Sequence, residues 1–424
     1  MRRLYRNVLG GVFAALVISA AVQAQEFKVF DRTVQLHGFT SQGFVHTNQN
    51  NWLTMNTANV GSGQFTDFGA NATTLVTDKL RIGAQIYDRE LGQLGRWHPE
   101  LDWAVADYHF KHWLSFRGGK VKTTLGLYND TQDEDFLHTF VLLPQGVYST
   151  DMRDSTLSHI GGDLYGTFGL GNKRAGKFSY TVYGGDLRES IYGGYPYLLQ
   201  IHGIYINDSG GPTWGGDLRW ATPVKGLLAG ASYEKNMVVN NGLLNPSVAL
   251  GGPDIFVPYK EWGNKEFIEQ YYGEYTAGNL RLDGEYRRFW RDYAIFNGLF
   301  EATINPNSWY GSAAYRVSKH VELGGYYSHF QVNWIVTAPN QVEAPDVSSP
   351  DRHLYDKVVT ARFDIKNWWY AKVEGHFMDG YAGFMYPDGF YPQVNEAPGA
   401  CPGNLCSSIQ PNTNALVVKT GFNF

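Results

Sequence analysis

About sixteen stretches of this chain alternate in polarity from one residue to the next, and the spacers between them are short and long in strict turn. No other feature restricts the fold as much. Successive side chains of a strand point to opposite faces, so a period of two reads as strands with one apolar and one polar face. In "TTLVTDKLRIGAQIYDRE" two such strands fold over Thr77-Asp78-Lys79. Beyond that turn Leu80, Ile82, Ala84 and Ile86 share one face, and Arg81, Gly83, Gln85 and Tyr87 the other. "KVKTTLGLY" sets Val121, Thr123, Leu125 and Leu127 against Lys120, Lys122, Thr124 and Tyr128. "NLRLDGEYRRFW" sets Leu280, Leu282, Gly284 and Tyr286 against Arg281, Asp283, Glu285 and Arg287. The expected strands lie near 34–46, 66–76, 79–90, 101–111, 115–128, 158–170, 177–188 and 213–222. Eight more lie near 226–238, 266–277, 279–291, 308–317, 320–333, 353–364, 368–379 and 414–424.

Seven short turns interleave with eight long loops, at 47–65, 91–100, 129–157, 189–212, 239–265, 292–307, 334–352 and 380–413. All the long loops then fall on one side and both termini on the other. That is the layout of an outer-membrane barrel, with short periplasmic turns and long external loops. The expected fold is all-β: a transmembrane antiparallel β-barrel of about sixteen strands spanning residues 25–424. Its last strand must pair with its first, because an open edge in lipid leaves backbone groups without partners. Leu416, Val418, Thr420, Phe422 and Phe424 form one apolar face of that last strand, so Phe422 and Phe424 are read as the barrel-closing terminus. A large exported β-sandwich or propeller also alternates in polarity, but lacks this alternation of spacer lengths.

The N-terminus points to export. "MRRLYRNVLGGVFAALVISAAVQAQ" has Arg2, Arg3 and Arg6, an apolar run from about Val8 to Ala21, and small residues before Gln25. This is the form of a secretory signal peptide over residues 1–24. Its removal leaves 32 basic against 40 acidic residues, a net of −8, which argues against nucleic acid as a partner. No later stretch approaches the 18 or so apolar residues of a membrane helix. Aromatic residues make up 15% of the chain and there are 49 Gly, the composition of strands and turns.

On these residues the chain resembles the Gram-negative outer-membrane porins, particularly the phosphate-selective-porin-like and related members. The passage 105–154, the opening "VQLHGFTSQGFV" and the closing "TGFNF" carry the resemblance. It implies a water-filled pore in the outer membrane of a Gram-negative bacterium, a homotrimer, contact with outer-membrane lipid, insertion by the barrel-assembly machinery, and a third loop folded inward.

The inward loop also follows from the residues. Residues 129–157 carry Asp130, Asp133, Glu134 and Asp135, then the apolar "FLHTFVLLP", which is costly to leave solvated. The loop is expected to pack in the lumen with its acids facing Arg81, Lys120 and Lys122 of the wall, while Arg281, Asp283, Glu285 and Arg287 line the pore. Opposed charges between low-dielectric walls focus the field and filter solutes. Pairing of these charges across neighbouring strands is the structural alternative. The 12 His are scattered without a Ser/His/Asp or HExxH pattern, so no enzyme, metal site or cofactor is expected. Cys401 and Cys406, in "CPGNLC", are read as a disulfide of the exported chain. The resulting expectation is passive diffusion of small hydrophilic solutes, anions among them. A barrel transporter for hydrophobic compounds is the alternative and would need an apolar lumen or plug; a barrel enzyme stands third.

Overall fold

The computed structural model describes residues 25–29, 31–58, 60–169, 175–338, 341–342, 349–387, 391–393 and 406–424. The signal peptide and Cys401 lie outside them, as does the side chain of Cys406.

Sixteen antiparallel strands close on themselves. They are β1 Arg32–Thr47, β2 Ser62–Leu75, β3 Leu80–Leu91, β4 Glu100–Lys111 and β5 Leu114–Lys122. Next come β6 Ser158–Gly169, β7 Lys177–Arg188, β8 Ile204–Ala221, β9 Leu227–Asn236 and β10 Val257–Ala277. The circle ends with β11 Leu280–Ile295, β12 Phe300–Ser318, β13 Val321–Ala338, β14 His353–Lys366, β15 Trp369–Gly380 and β16 Asn412–Asn423. β16 pairs with β15 on one side and with β1 on the other, Phe422 standing opposite Thr40. Gly38 and Phe424 exchange both backbone hydrogen bonds, at 3.1 and 2.9 Å, so the last residue completes the seam. Every backbone group of the seam is thereby paired inside the wall, as lipid requires.

The outward face is apolar. Ile82, Leu164, Val182, Leu218, Leu282, Leu323, Val359 and Val373 are all exposed. Trp113, Trp220, Tyr275, Tyr315 and Phe363 ring the short-turn end; Tyr271, Tyr286 and Trp309 face one another within the band, and Trp214, Phe267 and Trp290 stand nearer the other end. Such a band flanked by aromatic girdles is the outer-membrane signature, and the long loops are therefore external.

Two expected boundaries are corrected. The strand read over 115–128 ends at Lys122, and residues 123–157, here L3, turn into the lumen. Residues 239–265 and 292–307 are not loops for most of their length. β10 to β13 run 16 to 21 residues, and Val239–Leu244 extends the wall above β9. Roughly ten residues cross a membrane, so these hairpins project beyond it. Neither face meets lipid there, and the polarity alternation that reveals strands is lost.

External loops L1 (48–58), L2 (92–99), L4 (189–203) and, from the last long loop, residues 381–387 fold over the barrel mouth together with L3. They share one apolar cluster containing Trp52, Leu53, Met55, Leu94, Leu142, Tyr197, Phe384 and Met385. Val45, Phe65, Leu354, Met378 and Val417 of the wall pack against it. The upper interior is thus apolar and packed, and the charged wall lies below it.

Candidate functional site

L3 crosses the barrel and is held by nearly every part of the wall. At its root the Asn129 side-chain amide donates to the carbonyls of Thr123 and Thr156, both at 2.9 Å, tying the two ends of L3 together. Gly126 has φ +67°, and a Cβ there would lie 2.0 Å from Gln270 Nε2 and 2.4 Å from Glu285 Oε2. Only glycine lets the chain turn this close to β10 and β11. Its N–H donates to Ser232 Oγ at 2.9 Å, and its carbonyl accepts from Arg219 Nη2 at 2.7 Å.

The β11 wall then receives the loop. Glu285 accepts from the N–H of Leu127 at 3.1 Å and from the hydroxyls of Tyr148 and Tyr310 at 2.6 and 2.7 Å. Asp283 accepts from Tyr128 and Ser312, Arg287 donates to the carbonyl of Val147, and Arg281 Nη2 donates to Thr139 Oγ1 at 2.9 Å. On the opposite wall, Lys372 Nζ donates to the carbonyls of Asp135 and Phe140, both at 2.7 Å. Glu374 accepts the N–H of Val141 at 2.8 Å and of Leu142 at 3.0 Å. Lys419 pairs with Asp67 at 2.7 Å and also with Asp135. Lys372 and Glu374 are fully buried. A carboxylate and an ammonium facing a loop backbone make charge-assisted bonds, about twice as strong as neutral ones.

The third anchor is an ion cluster. Arg153 of L3 pairs with Asp102 at 2.7 Å, with Asp154 at 2.7 Å and with Asp133, while Lys122 reaches Asp133 at 3.1 Å and Asp102 at 3.3 Å. Arg89 pairs with Asp154 at 2.9 Å. Burial opposes ionisation of Asp133 and Asp154, but the neighbouring Arg153, Lys122 and Arg89 outweigh it and hold both carboxyls below the usual range. Asp151 has only Arg89 as a nearby cation, and burial pushes its carboxyl up to about 7. Burial lowers His138 to about 4. A cavity of about 50 Å³ remains between L3 and the wall at Asp67, Arg89 and Lys419. That holds a few water molecules.

The residues named from sequence separate into groups. Arg281, Asp283, Glu285 and Arg287 all touch L3, and Lys122 meets Asp133 as expected. Asp135 meets Lys419 rather than β3 or β5. Arg81 does not face L3; it pairs with Asp107 of β4 at 3.4 Å and is half exposed. Lys120 is corrected outright. It stands opposite the exposed Ile160 and so points outward, with Nζ donating to the carbonyl of Leu101 at 2.6 Å. The inward residue of that strand is the buried Val121, because the interior it faces at this height is packed with loop side chains. Asp130 and Glu134 carry no ion pair among the described residues, and burial raises Glu134. Arg281 and Arg287 have no carboxylate within 4.0 Å among the described residues.

Several contributors escaped sequence reasoning. Tyr128, Tyr148 and Tyr310, which meet carboxylates of the wall, and Arg153 and Arg89 of the ion cluster are among them. Thr123, His159 and Asp163 form a relay, with Oγ1 and Nδ1 3.0 Å apart and Nε2 and Oδ1 2.9 Å apart. The order is that of a nucleophile, base and acid. Their exposures are 2, 1 and 1%, which leaves no place for a substrate, and the relay locks L3 to β6. Among the described residues no three His, Cys, Asp or Glu are grouped to hold a metal.

No known family model matches the chain, and no curated protein matches its sequence. Solved structures do. OmpT, an outer membrane protein of Vibrio cholerae, superposes with TM-score 0.54 at 13% identity over 95% of this chain and 100% of that one. An anion-selective porin from Comamonas acidovorans gives 0.52 at 11% over 93% and 100%. The outer membrane channel DcaP of Acinetobacter baumannii gives 0.50 at 11% over 94% and 99%. At such identities the likeness is one of fold. The chain has the fold of the outer-membrane porins, and with its apolar band and girdles it belongs in the outer membrane of a Gram-negative cell.

Proposed function

We propose that this barrel is a diffusion channel for small hydrophilic solutes, narrowed by L3, and not an enzyme. The observation that carries the reading is the charged anchoring of L3 across the lumen by β11 on one side and β14 to β16 on the other. A structural plug needs apolar packing alone. Here the loop instead keeps Asp130 and Glu134 unneutralised, and β11 keeps Arg281 and Arg287. Opposed residual charges in a low-dielectric lumen produce a field that orients polar solutes. Porin-fold relatives include an anion-selective channel, which supports passage of anions among these solutes. The homotrimer and the barrel-assembly machinery belong to the same proposal.

Single-channel recording in a planar bilayer tests it. Discrete conductance steps are expected, rising when L3 is shortened between Phe136 and Tyr148. Absence of steps from both proteins refutes the channel. The apolar cluster beneath the loops favours a second reading, carriage of hydrophobic compounds. Liposomes that take up such compounds while excluding small sugars and ions would select it.

A further inference from the structure

The barrel wall is split at one place. The β4–β5 ladder stops at the pair Ala104 and Lys120, although β4 runs on to Glu100 and β5 to Lys122. β3 stays paired with β4 as far as Glu100, and β6 with β5 as far as Lys122. The two strands therefore part from each other while each keeps its other neighbour. Gly119 marks the fork: it has φ +131°, and a Cβ there would lie 2.0 Å from the carbonyl oxygen of Ala104. Only glycine lets β5 run this close to β4 before leaving it. Side chains take over where the ladder ends. Outside, Lys120 Nζ donates to the carbonyl of Leu101 at 2.6 Å. Inside, Asp102 is held by Arg153 at 2.7 Å and by Lys122 at 3.3 Å.

The split passes through the wall. Leu101 and Asp102 are consecutive on β4, Leu101 exposed beside Ile86 on the lipid face and Asp102 buried towards the lumen. Both line one cavity of about 20 Å³, with Lys120 and Arg188 at its outer end and Arg153 at its inner end. Leu101 lies nine residues from Phe110, which is exposed at the short-turn end. Nine residues rise about 30 Å, or about 21 Å along the membrane normal, which is inside an apolar band about 25 Å tall. An interrupted ladder at that depth is costly, because lipid offers the freed backbone groups no partner. Further in, Tyr87 and Arg153 line both this cavity and the one of about 50 Å³ under L3. The Arg153 guanidinium lies 4.3 Å from the centroid of the Tyr87 ring, and this contact is the partition between the two cavities.

We infer that the split is a side entrance through which a single-chain amphipathic anion, with the chemistry of a fatty acid, passes between the outer leaflet and the barrel interior. The lining selects that chemistry. Lys120 and Arg188 present cations at the mouth, beside the exposed Ile86 and Ile160 of the apolar band. An entering carboxylate displaces only a neutral carbonyl from Lys120. It then meets Arg153, whose partners are carboxylates that it replaces like for like. Its chain follows along Leu101 and Leu157 and, past Tyr87, reaches Phe140 and Leu142 of L3. The bridges across the split are side-chain contacts, so rotation of Lys120 and Arg153 opens it while the ladders on either side stay intact. The route is lateral and does not depend on conduction along the barrel axis.

The test is photolabelling of the folded barrel in liposomes of neutral phospholipid. The probe is hexadecanoic acid carrying a diazirine beside its carboxyl group, and labelled residues are mapped by mass spectrometry. Wild type is expected to be labelled at the buried Tyr87 and Leu157 as well as at the lipid-facing Ile82 and Leu164. In Leu101→Cys with Lys120→Cys, a short bis-maleimide joining the two thiols is expected to abolish the inner labels and spare the outer ones. The same variant without the bridge is expected to keep the inner labels, since Arg188 and Arg153 remain and the Lys120 contact is gone. Heat-modifiable migration confirms that each form is folded. Inner labels that survive the bridge mean arrival along the axis and overturn the inference. So do equal inner labels from the uncharged methyl ester of the probe. Inner labels absent from both wild type and the unbridged variant overturn it as well.

Discussion

Replacing Glu374 by alanine is expected to release L3 while leaving the barrel closed. The fully buried carboxylate accepts two backbone N–H groups, from Val141 at 2.8 Å and Leu142 at 3.0 Å, and lies 3.1 Å from His376 Nε2. Alanine leaves both amides buried without an acceptor, at about 1–3 kcal/mol each. The docked loop therefore loses about 2–6 kcal/mol, which at 1.4 kcal/mol per tenfold raises the undocked fraction about thirty-fold to twenty-thousand-fold. Lys372, which grips Asp135 and Phe140, tempers the effect towards the lower figure. His376 keeps Asp356 at 2.7 Å. The wall itself is untouched, because Glu374 pairs through its backbone with Thr360 and Val417. Hydrogen exchange at Val141 and Leu142 reads the release directly, and single-channel recording reads it as larger, noisier openings. Exchange and conductance both equal to wild type would show that the carboxylate does not anchor the loop.

Five further outcomes are expected. Arg153→Ala strands Asp133 and Asp102 in a buried cluster and should destabilise L3 by about 3–5 kcal/mol, measured as faster proteolysis within 129–157 of folded protein. For Asp151 the folded carboxyl titrates near 7, above its unfolded value, so the stability that its neutral form permits is lost as pH rises from about 4 to 7. His138 acts in the opposite direction, since its lowered value makes acidification below about 6.5 unfavourable to the folded loop. Loop protection in Asp151→Asn should therefore exceed that of wild type at pH 8 and match it at pH 4; equal profiles would refute the assignment. Asp130→Asn with Glu134→Gln should move the reversal potential in a salt gradient towards anions, and an unchanged potential places the selective charges elsewhere. Deleting Phe422–Phe424 should lower folded, heat-modifiable barrel without lowering export, because Gly38 loses its partner and Phe422 no longer stacks on Trp368 and Trp369. Cys401 and Cys406 should show no free thiol in protein purified without reductant.

The strand order, the side on which the long loops lie and the closing role of Phe424 were all legible in the residues. Each is enforced locally: lipid outside and polar groups inside impose a period of two, and the closure rule admits no open edge. Arg281, Asp283, Glu285 and Arg287 were legible for the same reason, being the polar face of a lipid-backed strand. Lys120 was not. Register puts it opposite the exposed Ile160, and its ammonium is taken by the carbonyl of Leu101 on the neighbouring strand rather than by an acid of L3. Nor did spacing reveal which wall would hold the loop. Asp135 finds Lys419, which is 284 positions away in the chain, and the Val141 amide finds Glu374. Such partners are chosen by the diameter of the closed barrel and by the path L3 takes after Gly126. The sequence alone determined a barrel with a charged inner face; the three-dimensional closure decided that much of this charge binds a loop, because only there do distant carboxylates and amides come within hydrogen-bonding reach.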